Sequence, residues 1–185
     1  IEVLAPLGFE NAYTLAMRRS DAERLAVHSL SDLSKHSAEL QLGCDYEFLQ
    51  RPEWTSVQKS YGLRFASLRS MDPSLLYEAA RLQAVDVIVA FSSDGRIASY
   101  DLVALADDKS TLLPYDAVIL VRRGLRSERP QVASALLQLQ GAVDLDRMQH
   151  LNAAVDKQRQ TPDQVATQFL REWPAGTTQA TPVAR

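Results

Sequence analysis

From Val85 to Ala117 the chain reads VDVIVAFSSDGRIASYDLVALADDKSTLLPYDA. Val85 to Phe91 is a short, β-rich run, apolar but for Asp86, which predicts a strand covered on both faces. It drops into Ser92-Ser93-Asp94-Gly95, a tight-turn signal in which Gly95 is free to take positive φ. After a second polar turn the chain rises through Leu113-Pro114-Tyr115 into a further apolar strand, Ala117 to Val121. Two strand ends therefore carry an aromatic ring each, Phe91 and Tyr115, with small polar residues between them. Ligands of an open α/β sheet settle outside the carboxyl ends of its strands, so both rings stand where a pocket is expected.

Strand and helix signals alternate on the N-terminal side of this stretch. Tyr13 to Met17 reads as a short buried strand, and Ser29-Leu30-Ser31-Asp32 as the start of a brief helix with capping-box spacing. Leu40 and Leu42 mark a second strand. Asp45 then caps a helix running through Phe48, Leu49 and Val57 to Tyr61, with Pro52 as a potential break in its first half. Arg64 to Leu68 is a third strand, and Asp72-Pro73 opens a helix over Leu75 to Leu82. Four such alternations predict an α/β lobe from about Tyr13 to Asp116. Beyond Val121 three amphipathic helices follow, Pro130 to Gln140, Leu145 to Val155 and Pro162 to Trp173, the last opened by Thr161-Pro162-Asp163-Gln164. Residues 174–185, rich in Ala, Thr, Pro and Gly, are expected to be a disordered tail.

The 185 residues can bury a sizeable core as one domain or two small lobes. With 20 basic and 23 acidic residues interspersed and a net charge of −3, no basic stripe marks the chain for nucleic acid. No apolar run approaches a membrane span. Ile1 opens the chain without an initiator Met or a charged-then-apolar leader, so any signal peptide is expected to have been removed or to lie outside this sequence. Cys44 is the single cysteine and reads as a small buried hydrophobe rather than a nucleophile.

Catalytic constellations are not found. His28, His36 and His150 bear no spacing relation to one another and read as surface residues. Asp107-Asp108 lacks the further oxygen ligands at defined spacing that a cation needs and reads as a charged surface turn. Ser92, Ser93 and Asp94 sit at a strand end, yet no base is identifiable near them. No catalytic residue, metal or cofactor is therefore expected. The aromatic residues differ, because Tyr13, Phe91 and Tyr115 each stand at a strand end rather than on a periodic face. A trimethylammonium head is a cation without a hydrogen-bond donor, and several ring faces hold it by cation–π attraction, roughly 0.5–2 kcal/mol each where water is excluded. Arg51 offers two parallel donors that match a carboxylate; on spacing alone it reads as the i,i+4 partner of Glu47 on a solvated helix face.

The same segments resemble the substrate-binding proteins of ABC importers for quaternary ammonium osmoprotectants. That family reads Tyr-Ser-Thr-Asp-Gly-Arg-Ile and later Asp-Asp-Lys followed by Phe-Pro-Pro-Tyr-Asp-Ala, against Phe91 to Ile97, Asp107 to Lys109 and Leu112 to Ala117 here. Pro6-Leu7-Gly8-Phe9-Glu10-Asn11-Ala12-Tyr13 is similar to its Pro-Leu-Gly-Phe-Asn-Asn-Thr-Tyr. Ser31-Asp32-Leu33, Glu47-Phe48-Leu49-Gln50-Arg51 and Met71-Asp72-Pro73 also follow its pattern, as do Leu151-Asn152 and Phe169-Leu170. The resemblance implies that Tyr13, Phe91 and Tyr115 line a cation cage, with Asn11 in the pocket. It further implies that Arg51 grips the ligand's carboxylate with Glu47 one turn behind. The implied fold is α/β, a type II periplasmic-binding-protein-like lobe with C-terminal helices. Residues 14–116 form the ligand-binding lobe, and 1–13 and 117–173 supply hinge strands and C-terminal helices that belong to or pack on the other lobe. The implied activity is non-catalytic capture of a quaternary ammonium solute such as glycine betaine or choline. Delivery is to an ABC transporter permease, on the periplasmic or extracytoplasmic side, with membrane association only through the permease or a fusion to it. The sensing domain of a transcriptional regulator is the alternative. Two departures stand out. Phe91 replaces the family Tyr, and no counterpart is present of the family's opening segment, with its Lys and Glu-Tyr-Thr-Gly-Thr element, so the N-terminal part of lobe one is expected to be absent.

Overall fold

The structure, a computed structural model, describes residues 1–173; the tail expected at 174–185 lies outside them. The strands are β1 (Glu2–Glu10), β2 (Tyr13–Arg18), β3 (Gln41–Cys44), β4 (Ser67–Ser70), β5 (Val87–Phe91), β6 (Leu102–Ala104) and β7 (Asp116–Val121). The helices are α1 (Arg19–Leu25), α2 (Leu30–Ser34), α3 (Pro52–Tyr61), α4 (Pro73–Arg81), α5 (Arg96–Ser99), α6 (Leu125–Glu128), α7 (Pro130–Leu137), α8 (Leu145–Asp156) and α9 (Pro162–Glu172). Ala12–Pro114 makes one compact unit, and Ile1–Asn11 with the residues from Tyr115 onward makes the other.

Ala12–Pro114 is built on a five-stranded sheet in the order β4-β3-β5-β2-β6. β3 is parallel to β4 and β5, whereas β2 runs antiparallel to both β5 and β6. Strand periodicity sorts the side chains into two cores. Leu15, Met17, Val87 and Val89 point into one cluster with Leu30, Leu33, Trp54 and Val57, while Ala16, Ile88 and Ala90 point into another with Leu76, Tyr77 and Ala80. Coverage on both faces is why β5 reads as an unbroken apolar run. Arg18 locks the sheet to α4, its Nη1 donating to the carbonyls of Ala80 (2.6 Å) and Val85 (2.7 Å).

The other unit pairs β1 antiparallel with β7 in a two-stranded ladder. β1 is irregular, with register shifts on either side of Ala5-Pro6. Gly8 sits at φ 117°, and a side chain there would meet the Val143 carbonyl at 2.9 Å; only glycine suits this approach. The turn before α8 pairs back onto the strand, Gly141 N–H to the Pro6 carbonyl and Val143 N–H to that of Leu7, both 3.2 Å. α8 packs on β1 and α9. A capping box formed by Thr161 and Gln164 starts α9.

Several local expectations need correction. The helix expected from Asp45 to Tyr61 is two elements: a 3₁₀ turn at Phe48–Gln50, whose Phe48 N–H donates to the Asp45 carboxylate, and α3, which begins afresh at Pro52. Proline favours the first helical turn and holds its predecessor extended, and Arg51 has φ −80° and ψ 148°. The strand expected at Arg64 to Leu68 lies at Ser67–Ser70. Gly95 has φ −65°, not a positive value, because it leads directly into α5. β6 and α1 had no sequence signal: the first is three residues long, and α1 buries only Ala22.

Candidate functional site

One end of the five-stranded sheet gathers the carboxyl ends of β3 and β5 with the amino end of β2. Tyr13 opens β2 and lies directly opposite Phe91, the last residue of β5. Their rings are 4.8 Å apart at 31°. Phe48, from the turn after β3, packs on the Tyr13 ring at 5.1 Å and on Trp54 at 5.8 Å, and Trp54 in turn stacks on Phe65. Phe48 and Trp54 are buried, Tyr13 is half-buried, and Phe91 is 37% exposed. A row of rings thus runs from the core to the surface and ends in an accessible face.

The turn that carries Phe48 is set by the Asp45 carboxylate, which accepts the N–H groups of Glu47 (2.8 Å) and Phe48 (2.7 Å). It delivers Arg51 over the row: the guanidinium carbon lies 5.5 Å from the Tyr13 ring centroid. Arg51 Nη2 donates to Glu47 Oε2 at 3.1 Å, in the i,i+4 spacing read from the sequence. The Arg51 side chain is 39% exposed and that of Glu47 80%, so this pair is a weak, solvent-screened tether. Arg51 Nε is shut away from solvent and has no hydrogen-bond partner among the described residues. Burial raises the Tyr13 phenol above its ordinary range, with the Arg51 charge opposing and the carboxylates of Asp45, Glu53 and Glu47 adding. The ring is therefore neutral at physiological pH.

Tyr13, Glu47, Arg51 and Phe91 are brought together within Ala12–Pro114. Asn11 and Tyr115 belong to the other unit, where Asn11 N–H donates to the Tyr115 carbonyl at 3.0 Å and Tyr115 N–H to the Glu10 carboxylate at 3.3 Å. Tyr115 precedes β7 and is 45% exposed. The sequence pattern runs a helix through Phe48 and gives no role to Tyr77, whose hydroxyl accepts the Phe91 N–H. The only local signal for Phe48 was its place in Glu-Phe-x-x-Arg.

Asp107 and Asp108 hold a loop. Asp107 accepts from the Tyr61 hydroxyl, Thr111 Oγ1 (3.1 Å) and the Leu112 N–H (2.6 Å), and Asp108 accepts from the N–H and hydroxyl of Ser31. Among the described residues no three His, Cys, Asp or Glu side chains converge as a metal site. No helix there is long and apolar enough to cross a membrane. Ser92 is engaged with the backbone of Ala12, its hydroxyl accepting the Ala12 N–H at 3.1 Å.

Residues 1–172 match the family described as the substrate-binding domain of the ABC-type glycine betaine transport system. The chain belongs to that family. It is 36% identical over 181 residues to the glycine-betaine-binding protein of Pseudomonas aeruginosa, covering 91% of this chain and 58% of that one. It is 32% identical over 165 residues to the ergothioneine transport permease/ergothioneine binding protein EgtU of Helicobacter pylori, covering 89% of this chain and 30% of that protein. The solved structure of a glycine betaine/carnitine/choline ABC transporter protein superposes with a TM-score of 0.87 at 34% identity, over 91% of this chain and 62% of its own. The chain thus spans about a third to three fifths of the length of the relatives it matches. The α/β architecture is that of the periplasmic binding proteins.

Proposed function

We propose that this chain supplies the binding surface for a zwitterionic quaternary ammonium solute, of the glycine betaine or carnitine type, captured for uptake through an ABC permease. One observation carries the reading: the Tyr13 face, 4.8 Å from the accessible Phe91 ring, already holds a cation, the part-exposed Arg51 guanidinium. A methylated ammonium suits ring faces because it has no donor to pair. A carboxylate suits Arg51 because the exposed part of its guanidinium offers charge-assisted bonds. In this reading Asn11, Tyr13, Glu47, Arg51, Phe91 and Tyr115 line the site, residues 14–116 are the ligand-binding lobe, and residues 1–13 and 117–173 carry hinge strands and helices. Capture makes and breaks no covalent bond. The site faces the extracytoplasmic side, and the membrane is met through the permease. The relatives whose names include glycine betaine, carnitine and ergothioneine support a methylated-ammonium ligand. Calorimetry of the intact protein against glycine betaine, carnitine, choline and ergothioneine, beside amino acids and sugars, tests this. Binding of at least one methylated ammonium compound is expected. Heat with an amino acid or sugar and none with the four would overturn the assignment.

A further inference from the structure

Phe91 ends β5 at a place where the sheet has thinned. The register of β3 with β5 pairs Leu42 with Val87 and Gly43 with Ile88 and goes no further. On the opposite side β2 stays in register to the end, but Ser92 N–H bonds the Ala12 carbonyl at 2.9 Å. Ala12 and Ser92 are therefore the hydrogen-bonded pair and Tyr13 and Phe91 the closer, non-hydrogen-bonded one. This alternation turns the Phe91 N–H away from β2, toward the side where no strand remains to receive it. An unpaired N–H beside the core is costly.

The acceptor comes from α4. Tyr77 Oη lies 3.2 Å from the Phe91 nitrogen, and the same hydroxyl is hydrogen-bonded to the Asp94 carboxylate. Asp94 is gripped by Arg96, through Nε at 3.0 Å and Nη2 at 2.7 Å, and the Arg96 guanidinium carbon stands 4.0 Å over the Tyr77 ring. Tyr77 is buried, and its phenol is raised by burial and by the charge of Asp94, so it remains a neutral donor to that carboxylate. The Asp94-Gly95-Arg96 turn thus acts as a brace: Arg96 holds Asp94, Asp94 orients the Tyr77 hydroxyl, and the hydroxyl receives the Phe91 N–H.

We propose that Tyr77 is a positioning residue for ligand binding, fixing the end of β5 and with it the spacing of the Tyr13 and Phe91 rings that receive the ligand's cation. The inference rests on the cation-binding reading above. It is tested on the intact protein with glycine betaine as the probe, at a temperature where each variant is fully folded by circular dichroism. Tyr77→Phe keeps the ring and removes the hydroxyl. Its expected results are affinity lowered about five- to tenfold and faster amide exchange at Phe91 with Val87 to Ala90 unchanged. In a Phe91→Ala background Tyr77→Phe should cause no additional loss, because it acts through that residue. Unchanged affinity despite a deprotected Phe91 amide would overturn the proposal, as would a full loss persisting in the Phe91→Ala background. If Tyr77→Phe does not fold, Arg96→Gln serves: it leaves the hydroxyl in place but removes the fork on Asp94 and the cation over the ring. Affinity is then expected to fall about two- to fourfold, and no change would overturn the proposal. A wild-type protein that binds no methylated ammonium compound would defeat the functional reading itself, which separates that failure from these.

Discussion

The two units of the chain spend their apolar residues differently. In Ala12–Pro114 the apolar residues of β2 and β5 alternate between two cores, so Leu15 and Met17 serve one cluster and Ala16 the other. The ladder of β1 and β7 buries Leu4, Ala5 and Val121, yet Val3 (59%), Leu120 (58%) and Val118 are exposed, and Val3 is the register partner of Leu120. Two-stranded ladders are marginal by themselves. The first unit therefore rests on packing, and the second on loop pairing, helix caps and one covered side of its ladder. The difference predicts where substitutions are felt.

The largest effect is expected in the first unit. Phe48 is fully buried between Tyr13 and Trp54, and Phe48→Ala leaves a cavity costing about 3–5 kcal/mol. Leu120→Ala removes a side chain already in water and should change stability by no more than about 0.5 kcal/mol. Chemical denaturation of both variants checks the pair. A cost above about 1.5 kcal/mol for Leu120→Ala would mean that the ladder's outward side is covered in solution and that the contrast between the units is false.

The candidate site residues are divided between the same units, which lets ligand chemistry separate their roles. Arg51→Ala should lower affinity for glycine betaine at least about tenfold while leaving choline, which has no carboxylate, nearly unaffected. Tyr115→Ala should weaken both ligands alike, by about two- to fivefold, the worth of one partly exposed ring face. Parallel titrations decide. An equal fall for both ligands in Arg51→Ala would show that Arg51 shapes the Tyr13 surface rather than reading the carboxylate.

Much of this architecture was legible because its signals are local. Asp72-Pro73 and Thr161-Pro162 start helices by donor satisfaction within three residues, and the continuous run at β5 reports burial on both faces. β1 was harder, since its register shifts break the alternation on which strand reading depends. Within the site, Tyr13 and Phe91 were visible as strand ends, and Arg51 as a residue held beside Glu47. The support beneath them was not. Tyr77 lies 14 residues before Phe91, and its role arises only because β3 stops pairing with β5 at Ile88. That event belongs to sheet topology, and no spacing within the sequence announces it. Phe48 was assigned to a helix for a similar reason: the break at Pro52 turns its segment into a separate turn aimed at Tyr13.

The smallest effect expected is electrostatic, and it sharpens the same contrast. At the start of α2 the Asp32 carboxylate accepts from Lys35 Nζ (2.9 Å), the Ser29 hydroxyl (2.9 Å) and the His28 N–H (3.3 Å). These partners, Lys35 foremost, lower its pKa to about 2. In the other unit Glu128 is lowered by Arg122 alone, a pair on an exposed turn. A depressed carboxyl stabilises the fold above its unfolded value, about 3.9, and that contribution is lost as pH falls from there through about 2. Asp32→Asn should therefore flatten the acid limb of the stability curve of Ala12–Pro114 over that window, by a small amount that shrinks further in high salt because the group is exposed. Carboxyl NMR titration of the folded protein gives the direct check. An Asp32 midpoint near 4 would mean that its three hydrogen bonds do not persist in solution, and α2 would then owe its start to the Ser29 cap and to the burial of Leu30 and Leu33.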